Sequence, residues 1–345
     1  MVSGKPRTEE MKVGIIGAFG KMGRIRNDLF AKQPDCRVVA ACDTTDQSPK
    51  EILYSADPFA LTRNPDLNAI CICTPNYLIR DLVVDALDNG KHVFCEKPPG
   101  ISVAQVRDMR SAAQRNPGLT LKFGFNHRYH DAVIEAKRRI ETGDYGRILW
   151  LRGRYGKSVD DSFTAQWRAS RNLAGGGIML DQGIHMLDLF LHFCGGFEEA
   201  KSFCSRNYWN LDIEDNVFAM FRNKLGQTAS LHSTMTQWRH LFSLEIFMER
   251  GYMVINGILS ASGAYRHNGG EELTIALNRS PAPAAKHTRE ERINFKEDLS
   301  FAREIDEFVA CIRANRPPIH GSIDDAEALM VLIEKVYQDD VSCGR

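Results

Sequence analysis

KVGIIGAFGKMG, residues Lys12–Gly23, is the stretch whose reading decides the fold. A short apolar run, Lys12–Gly17, enters a turn with glycines at 17, 20 and 23, and MGRIRNDLFAK then follows a helical pattern. Glycines between a strand and a helix permit a tight turn and bring backbone N–H groups close to an anion at the helix N-terminus. The spacing here is GxxGxxG, one residue longer than the dinucleotide fingerprint GxGxxG, so the pattern carries little without its context. The context supplies it. RVVAACD (Arg37–Asp43) reads as a second strand and places an acid about 20 residues past Gly23, where a carboxylate meets the ribose hydroxyls of a dinucleotide. A carboxylate at that point repels a 2′-phosphate, which predicts NAD rather than NADP. The predicted cofactor contacts on this turn are Gly17, Phe19, Gly20, Lys21, Met22, Gly23 and Asp43.

The alternation continues outward. AICICTP (Ala69–Pro75), HVFCEKP (His92–Pro98) and LKFGFN (Leu121–Asn126) are apolar strand-like runs separated by helical stretches, one ending at Leu82–Gly90 and one running from Ser102 to near Gln114. Apolar strands divided by helices indicate a parallel sheet covered on both faces. Ligands of such sheets sit at the carboxyl ends of the strands. That rule adds Thr74, Pro75, Asn76, Glu96 and Lys97 to the cofactor contacts.

Past residue 125 the pattern changes. After a helix near Ala132–Glu141, RILWLRGRY, NVFAMFR, QTASLHSTMTQW, LFSLEIFM, YMVINGI and ELTIALN follow one another across short turns, as in an antiparallel meander. Arg279–Arg292 reads as an exposed loop. Two helices close the chain, the first with Leu299, Ala302, Ile305, Phe308 and Ile312 on its buried face. The expected architecture is α/β: a doubly wound Rossmann domain over 1–125, then an α+β domain with a large open, mostly antiparallel sheet over 126–345.

Composition excludes several classes of function. Lysine plus arginine equals aspartate plus glutamate, 44 against 44, which gives no electrostatic case for nucleic acid or an anionic membrane. No apolar run reaches the roughly 20 residues of a membrane span. The first ten residues, MVSGKPRTEE, are polar and hold no signal-peptide core. Nine scattered cysteines without metal-ligand spacing read as reduced thiols of a cytoplasmic protein.

GGGIMLDQGIHMLDLF, Gly175–Phe190, sets Asp181 and His185 four residues apart, on one face if the run is helical. A hydrogen-bonded pair that steadies the helix is one account of them. A cation held by His185, Asp188 and His192 is another, but no outside ligand cluster supports it, so no metal is expected. Upstream, Trp167, Arg168 and Arg171 stand where arginines would clamp a carboxylate or phosphate.

The glycine turn, TPN, EKP and the GGGxxxDxGxHxxD stretch together resemble the glucose–fructose oxidoreductase / inositol dehydrogenase family, GFO/IDH/MocA, over nearly the whole chain. The resemblance implies an NAD-dependent oxidoreductase of sugar secondary alcohols, with Lys97, Asp181 and His185 as its catalytic group. His185 would be the base, Asp181 its orienter or a substrate contact, and Lys97 the donor to the reacting oxygen. FNHRY resembles the segment entering the second domain and offers Asn126 and Arg128, with Trp167 and Arg168, to the substrate. Gly175–Gly177 would let the backbone turn beside it. Where relatives often carry a histidine three residues after the TPN asparagine, this chain has Ile79. The arginines favour a nucleotide-linked or acidic sugar, as in surface-polysaccharide pathways. The resemblance also implies a homodimer or homotetramer through the second-domain sheet. Two alternatives stand beside it: a dinucleotide-binding regulator without catalysis, and a lyase or epimerase that recycles bound NAD.

Overall fold

The computed structural model describes residues 10–260, 263–278 and 289–340. The chain forms two compact units. One holds the chain up to Gly100 together with Ala104–Gly124 and Phe301–Ile323; the other holds Ile101–Val103, Phe125–Ser300 and the chain from Asp324.

The first unit begins β1 (Met11–Ile16), α1 (Lys21–Phe30), β2 (Cys36–Cys42), β3 (Leu53–Ser55), α2 (Pro58–Thr62), β4 (Ala69–Ile72), α3 (Ile79–Asp88), β5 (His92–Glu96), α4 (Val103–Arg115) and β6 (Leu121–Gly124). All six strands are parallel, in the order β3-β2-β1-β4-β5-β6. Every residue of β4 and β6 is buried, which explains why these strands read as unbroken apolar runs rather than alternating ones. The order reverses between β1 and β4, and the carboxyl ends of those two strands therefore open the crevice where such sheets take ligands. β3 and α2 have no counterpart in the sequence reading; three and five residues are too short for periodicity to register.

The chain then runs through α5 (Asp131–Glu141), β7 (Ile148–Ser158), α6 (Arg171–Ala174), α7 (Ile184–Cys194), β8 (Glu199–Ser205), β9 (Asn216–Arg222), β10 (Thr228–Thr234), β11 (Thr236–Met248), β12 (Gly251–Asn256), β13 (Glu271–Leu277), β14 (Glu290–Phe295), α8 (Ser300–Ala314) and α9 (Ile323–Asp339). The eight strands form one sheet, β14-β13-β12-β11-β7-β10-β9-β8, antiparallel except where β10 runs parallel to β7. QTASLHSTMTQW, read as one strand, is two. The chain crosses the end of β7 at Met235 and returns along its other edge. The tail of the expected loop, Glu290–Arg292, belongs to β14, paired with β13; its residues 279–288 lie outside the described ones.

α8 departs most from expectation. The sequence reading counted it with the second domain, but Ile305, Phe308 and Val309 insert into the core of the first unit with Val13, Phe30 and Phe94. The Phe308 ring stands edge-on to Phe30 and Phe94, with ring centres 6.2 and 5.7 Å away. Burying side chains of this size contributes about 1.5–3 kcal/mol each, enough to hold the helix there. Leu299, expected on its buried face, precedes the helix and is exposed. Among the described residues seven cysteines are free thiols, but Cys204 is disulfide-bonded, which corrects the reading of uniformly reduced thiols. No described helix is long and apolar enough to cross a membrane.

Candidate active site

In the first unit the glycines of the turn have separable roles. A Cβ on Gly17 would lie 2.5 Å from the Cys73 carbonyl oxygen, and one on Gly23 would lie 2.1 Å from that of Gly17. Both positions are closed to any side chain by backbone. Gly20 differs, since its Cβ would meet nothing nearer than 3.6 Å. α1 starts just beyond it with no side-chain cap, so its first N–H groups form an anion-binding end. Asp43, which ends β2, accepts from the Phe19 N–H through Oδ2 and from the Thr44 N–H through Oδ1, both at 2.8 Å. It thus braces the longer turn and retains acceptor capacity for a hydroxyl. At the end of β4, Thr74 Oγ1 is buried with no hydrogen-bond partner among the described residues. An open glycine cradle, an uncapped helix end, an acid and an orphaned hydroxyl fit a dinucleotide.

Glu96 ends β5 and Lys97 follows it, with a cis peptide between Lys97 and Pro98. Glu96 accepts from Arg26 Nε at 2.8 Å, and the same buried guanidinium donates to Glu304 of α8 at 2.7 Å. The strand end that presents Lys97 is therefore tied to α1 and α8. Sequence reasoning missed Arg26, whose burial has no local signature.

In the second unit, the run read as one helix is a π turn, Met179–Gly183, followed by α7. π turns concentrate at functional sites, and this one carries Asp181. Asp181 Oδ2 lies 2.8 Å from Lys157 Nζ of β7. His185 is buried, its ring stacked on that of His127. Upstream, Glu214 holds the start of the turn. Its Oε1 accepts from the N–H groups of Gly177 (2.8 Å) and Met179 (3.2 Å) and from Tyr337 Oη (2.8 Å). Burial pushes the Glu214 carboxyl above its ordinary range. A Cβ on Gly177 would meet the Glu214 carbonyl oxygen at 2.1 Å, and one on Gly176 the Tyr337 hydroxyl at 2.2 Å. These two glycines are therefore required for packing against Glu214 and Tyr337.

Other predicted residues are committed elsewhere. Arg128 clasps Asp188 through Nε and Nη2 and donates to Asp325 through Nη1. Asn126 donates to Ser300 Oγ. Arg171 donates to the Asp212 carbonyl and pairs with Glu214, whereas Arg168 stacks on Trp167. With Asp188 on Arg128, the alternative cation set dissolves, and no metal-holding cluster occurs among the described residues. Sequence reasoning also missed His127, Lys157 and Glu214; Lys157 is one more lysine on a strand, and Glu214 one more acid in a loop.

Residues 11–124 match an oxidoreductase family described by its NAD-binding Rossmann fold, and residues 133–254 match the GFO/IDH/MocA C-terminal domain. Levoglucosan dehydrogenase of Pseudarthrobacter phenanthrenivorans is 27% identical over 72% of this chain and 74% of its own. D-glucoside 3-dehydrogenase of Escherichia coli is 27% identical over 81% and 85%. The solved structure of levoglucosan dehydrogenase in complex with NADH and L-sorbose superposes with a TM-score of 0.83 at 21% identity, covering 95% of this chain and 96% of that one. Two successive matches to the same family, on a parallel NAD-binding sheet and then on a mostly antiparallel one, make this chain an oxidoreductase of the GFO/IDH/MocA family.

Proposed function

We propose that the protein oxidises or forms a secondary alcohol of a neutral sugar or cyclitol. The observation that supports this reading is the Lys157–Asp181 pair, 2.8 Å apart, which gives Asp181 a charge partner and leaves His185 as our choice of proton acceptor in the DxxxH stretch. NAD, when bound, supplies the hydride acceptor; Gly17–Gly23, Asp43 and Thr74 hold it. His185 takes the hydroxyl proton, an exchange suited to imidazole near neutral pH. Lys97 donates a hydrogen bond to the reacting oxygen and stabilises charge developing there. Asp181 and Lys157 accept from and donate to neighbouring substrate hydroxyls. Of the two arginines expected to clamp an anion, Arg171 is already engaged by Glu214 and the Asp212 carbonyl, which weakens the case for an acidic or nucleotide-linked sugar, and the named relatives act on levoglucosan and D-glucosides.

The test is NADH formation with NAD and a panel of anhydro sugars, glucosides, cyclitols, uronic acids and UDP-sugars. Turnover confined to the neutral members is expected; turnover with UDP-sugars alone would overturn the neutral assignment. Lys97→Ala and His185→Ala should each lower kcat about 10²- to 10⁴-fold while calorimetric NAD binding stays within twofold. Wild-type turnover in either variant removes that residue from the chemistry. The eight-stranded sheet leaves Phe203, Phe218 and Met220 exposed, Phe203 at 77%. Such a patch is costly in water, so we place the contact of a homodimer or homotetramer there. A light-scattering mass of one 38.9 kDa chain would refute the assembly.

A further inference from the structure

His127 lies between two residues singled out from the sequence and does more than either. Its imidazole stacks face to face on His185, with ring centres 3.8 Å apart and planes 18° from parallel. Both rings are buried. His127 Nδ1 lies 3.1 Å from Asn126 Oδ1, and Nε2 lies 3.1 Å from Tyr155 Oη.

The sense of these bonds follows from their neighbours. Asn126 Nδ2 donates to Ser300 Oγ at 3.1 Å, and Ser300 Oγ donates to Asp298 Oδ1 at 2.7 Å. Asn126 therefore turns its oxygen to His127, and Nδ1 carries the proton. Burial, with Tyr265 and Asp181 nearby, pushes the Tyr155 phenol well above its usual range, so it keeps its proton and has one to offer to Nε2. A neutral His127 in this setting is the Nδ1–H tautomer.

We propose that His127 is a positioning residue for His185: it holds the plane of that ring and, having no place for a second proton, confines the variable proton of the stack to His185. The functional half of this rests on the reading of His185 as the base. The neutral π face of His127 favours an imidazolium stacked on it. Among the described residues, the titratable and charged groups around the stack include Tyr155 on β7, Tyr265 edge-on to Tyr155, His130 edge-on to His127 and paired with Glu271, Asp181 paired with Lys157, and Asp188, one turn along α7 from His185, paired with Arg128.

The test uses the full chain labelled with ¹⁵N-histidine, followed by long-range NMR correlation against pH in the wild type, His127→Phe and His127→Leu. His127 should show the neutral Nδ1–H pattern throughout the range in which histidine titrates. In His127→Leu the midpoint of His185 should fall by about half a pH unit to one unit. The acid limb of kcat/KM should move with it, and kcat should fall about tenfold, the loss expected from a ring set slightly askew, with KM for NAD unchanged. His127→Phe, which keeps a flat π face, should restore both. A charged or Nε2–H signal from His127, or an unchanged His185 midpoint and kcat in His127→Leu, would overturn the proposal. Tyr155→Phe, which leaves Nε2 open to a proton, should make His127 titrate; its failure to do so also counts against it. The NMR readouts need no turnover. An active His185→Ala enzyme would sink the base reading while the His127 signals still decided the positioning one.

Discussion

Among the described residues two arginines are buried, one in each unit, and each stands between two carboxylates. Arg26 pairs with Glu96 and Glu304, both at 2.7 Å. Arg128 pairs with Asp188 at 2.7 Å and Asp325 at 2.9 Å. One positive charge between two negative ones leaves an excess that a low-dielectric interior does not tolerate. The two units relieve it differently. Asp325 keeps 22% of its side chain exposed and hands its charge to water. Glu304 is fully buried, and its Oε1 has no hydrogen-bond partner among the described residues. Burial, with Glu96 competing for the same guanidinium, pushes the Glu304 carboxyl up to about 7 despite the arginine beside it. One triad exports charge to solvent; the other accepts a proton.

The largest effect separating these arrangements should come from Arg128→Met. Asp188 is buried and accepts from two guanidinium nitrogens, so it would lose its compensating charge with no route to water. Breaking a buried pair from one side costs about 3–5 kcal/mol. Denaturant unfolding at pH 7 should show that loss, and a change below about 1 kcal/mol would mean the Arg128 triad behaves as a surface pair.

Glu304→Gln comes next, and with the opposite sign. The native carboxyl titrates near 7 against an ordinary 4.5. Between those values the unfolded chain has released the proton while the native state keeps it, so the native state binds more protons and stability falls as pH rises through the window. Well above 7 both states are ionised and the cost is complete, on the order of 3 kcal/mol. Glutamine does not titrate. The variant should match the wild type at pH 4.5, gain on it up to pH 7, and stay ahead beyond. Parallel stability curves for the two proteins would show that Glu304 holds no such proton.

These triads also mark how far the sequence could be read. The parallel sheet was legible because apolar strands, glycine turn and Asp43 lie in one local order with known physics. The DxxxH stretch was legible because a carboxylate and an imidazole stand out in an apolar run. Arg26, Arg128 and Glu214 were not, since their partners lie 35 or more positions away along the chain: Glu96 and Glu304, Asp188 and Asp325, Gly177 and Met179. Arg128 was noticed as a ligand contact, but its carboxylate partners were hidden for that reason. α8 was misassigned because periodicity identifies a buried face without saying which core receives it; Phe308 and Ile305 would suit either.

The smallest effect is the most discriminating. Asp325→Asn keeps an oxygen for Arg128 Nη1 while removing the second negative charge. If water already carries that charge, its loss changes little, within the 0–1 kcal/mol of exposed pairs, and the stability curve should keep its wild-type shape with pH. A gain comparable to that of Glu304→Gln would mean that partial exposure gives Asp325 no relief, and that the two triads share one unresolved excess of charge. A loss above about 2 kcal/mol would mean that Arg128 needs both carboxylates to satisfy its five buried donors. Only the near-null result keeps solvent and proton as two distinct solutions, because it alone requires that the second acid be tolerated in one unit without the proton that the other unit must hold.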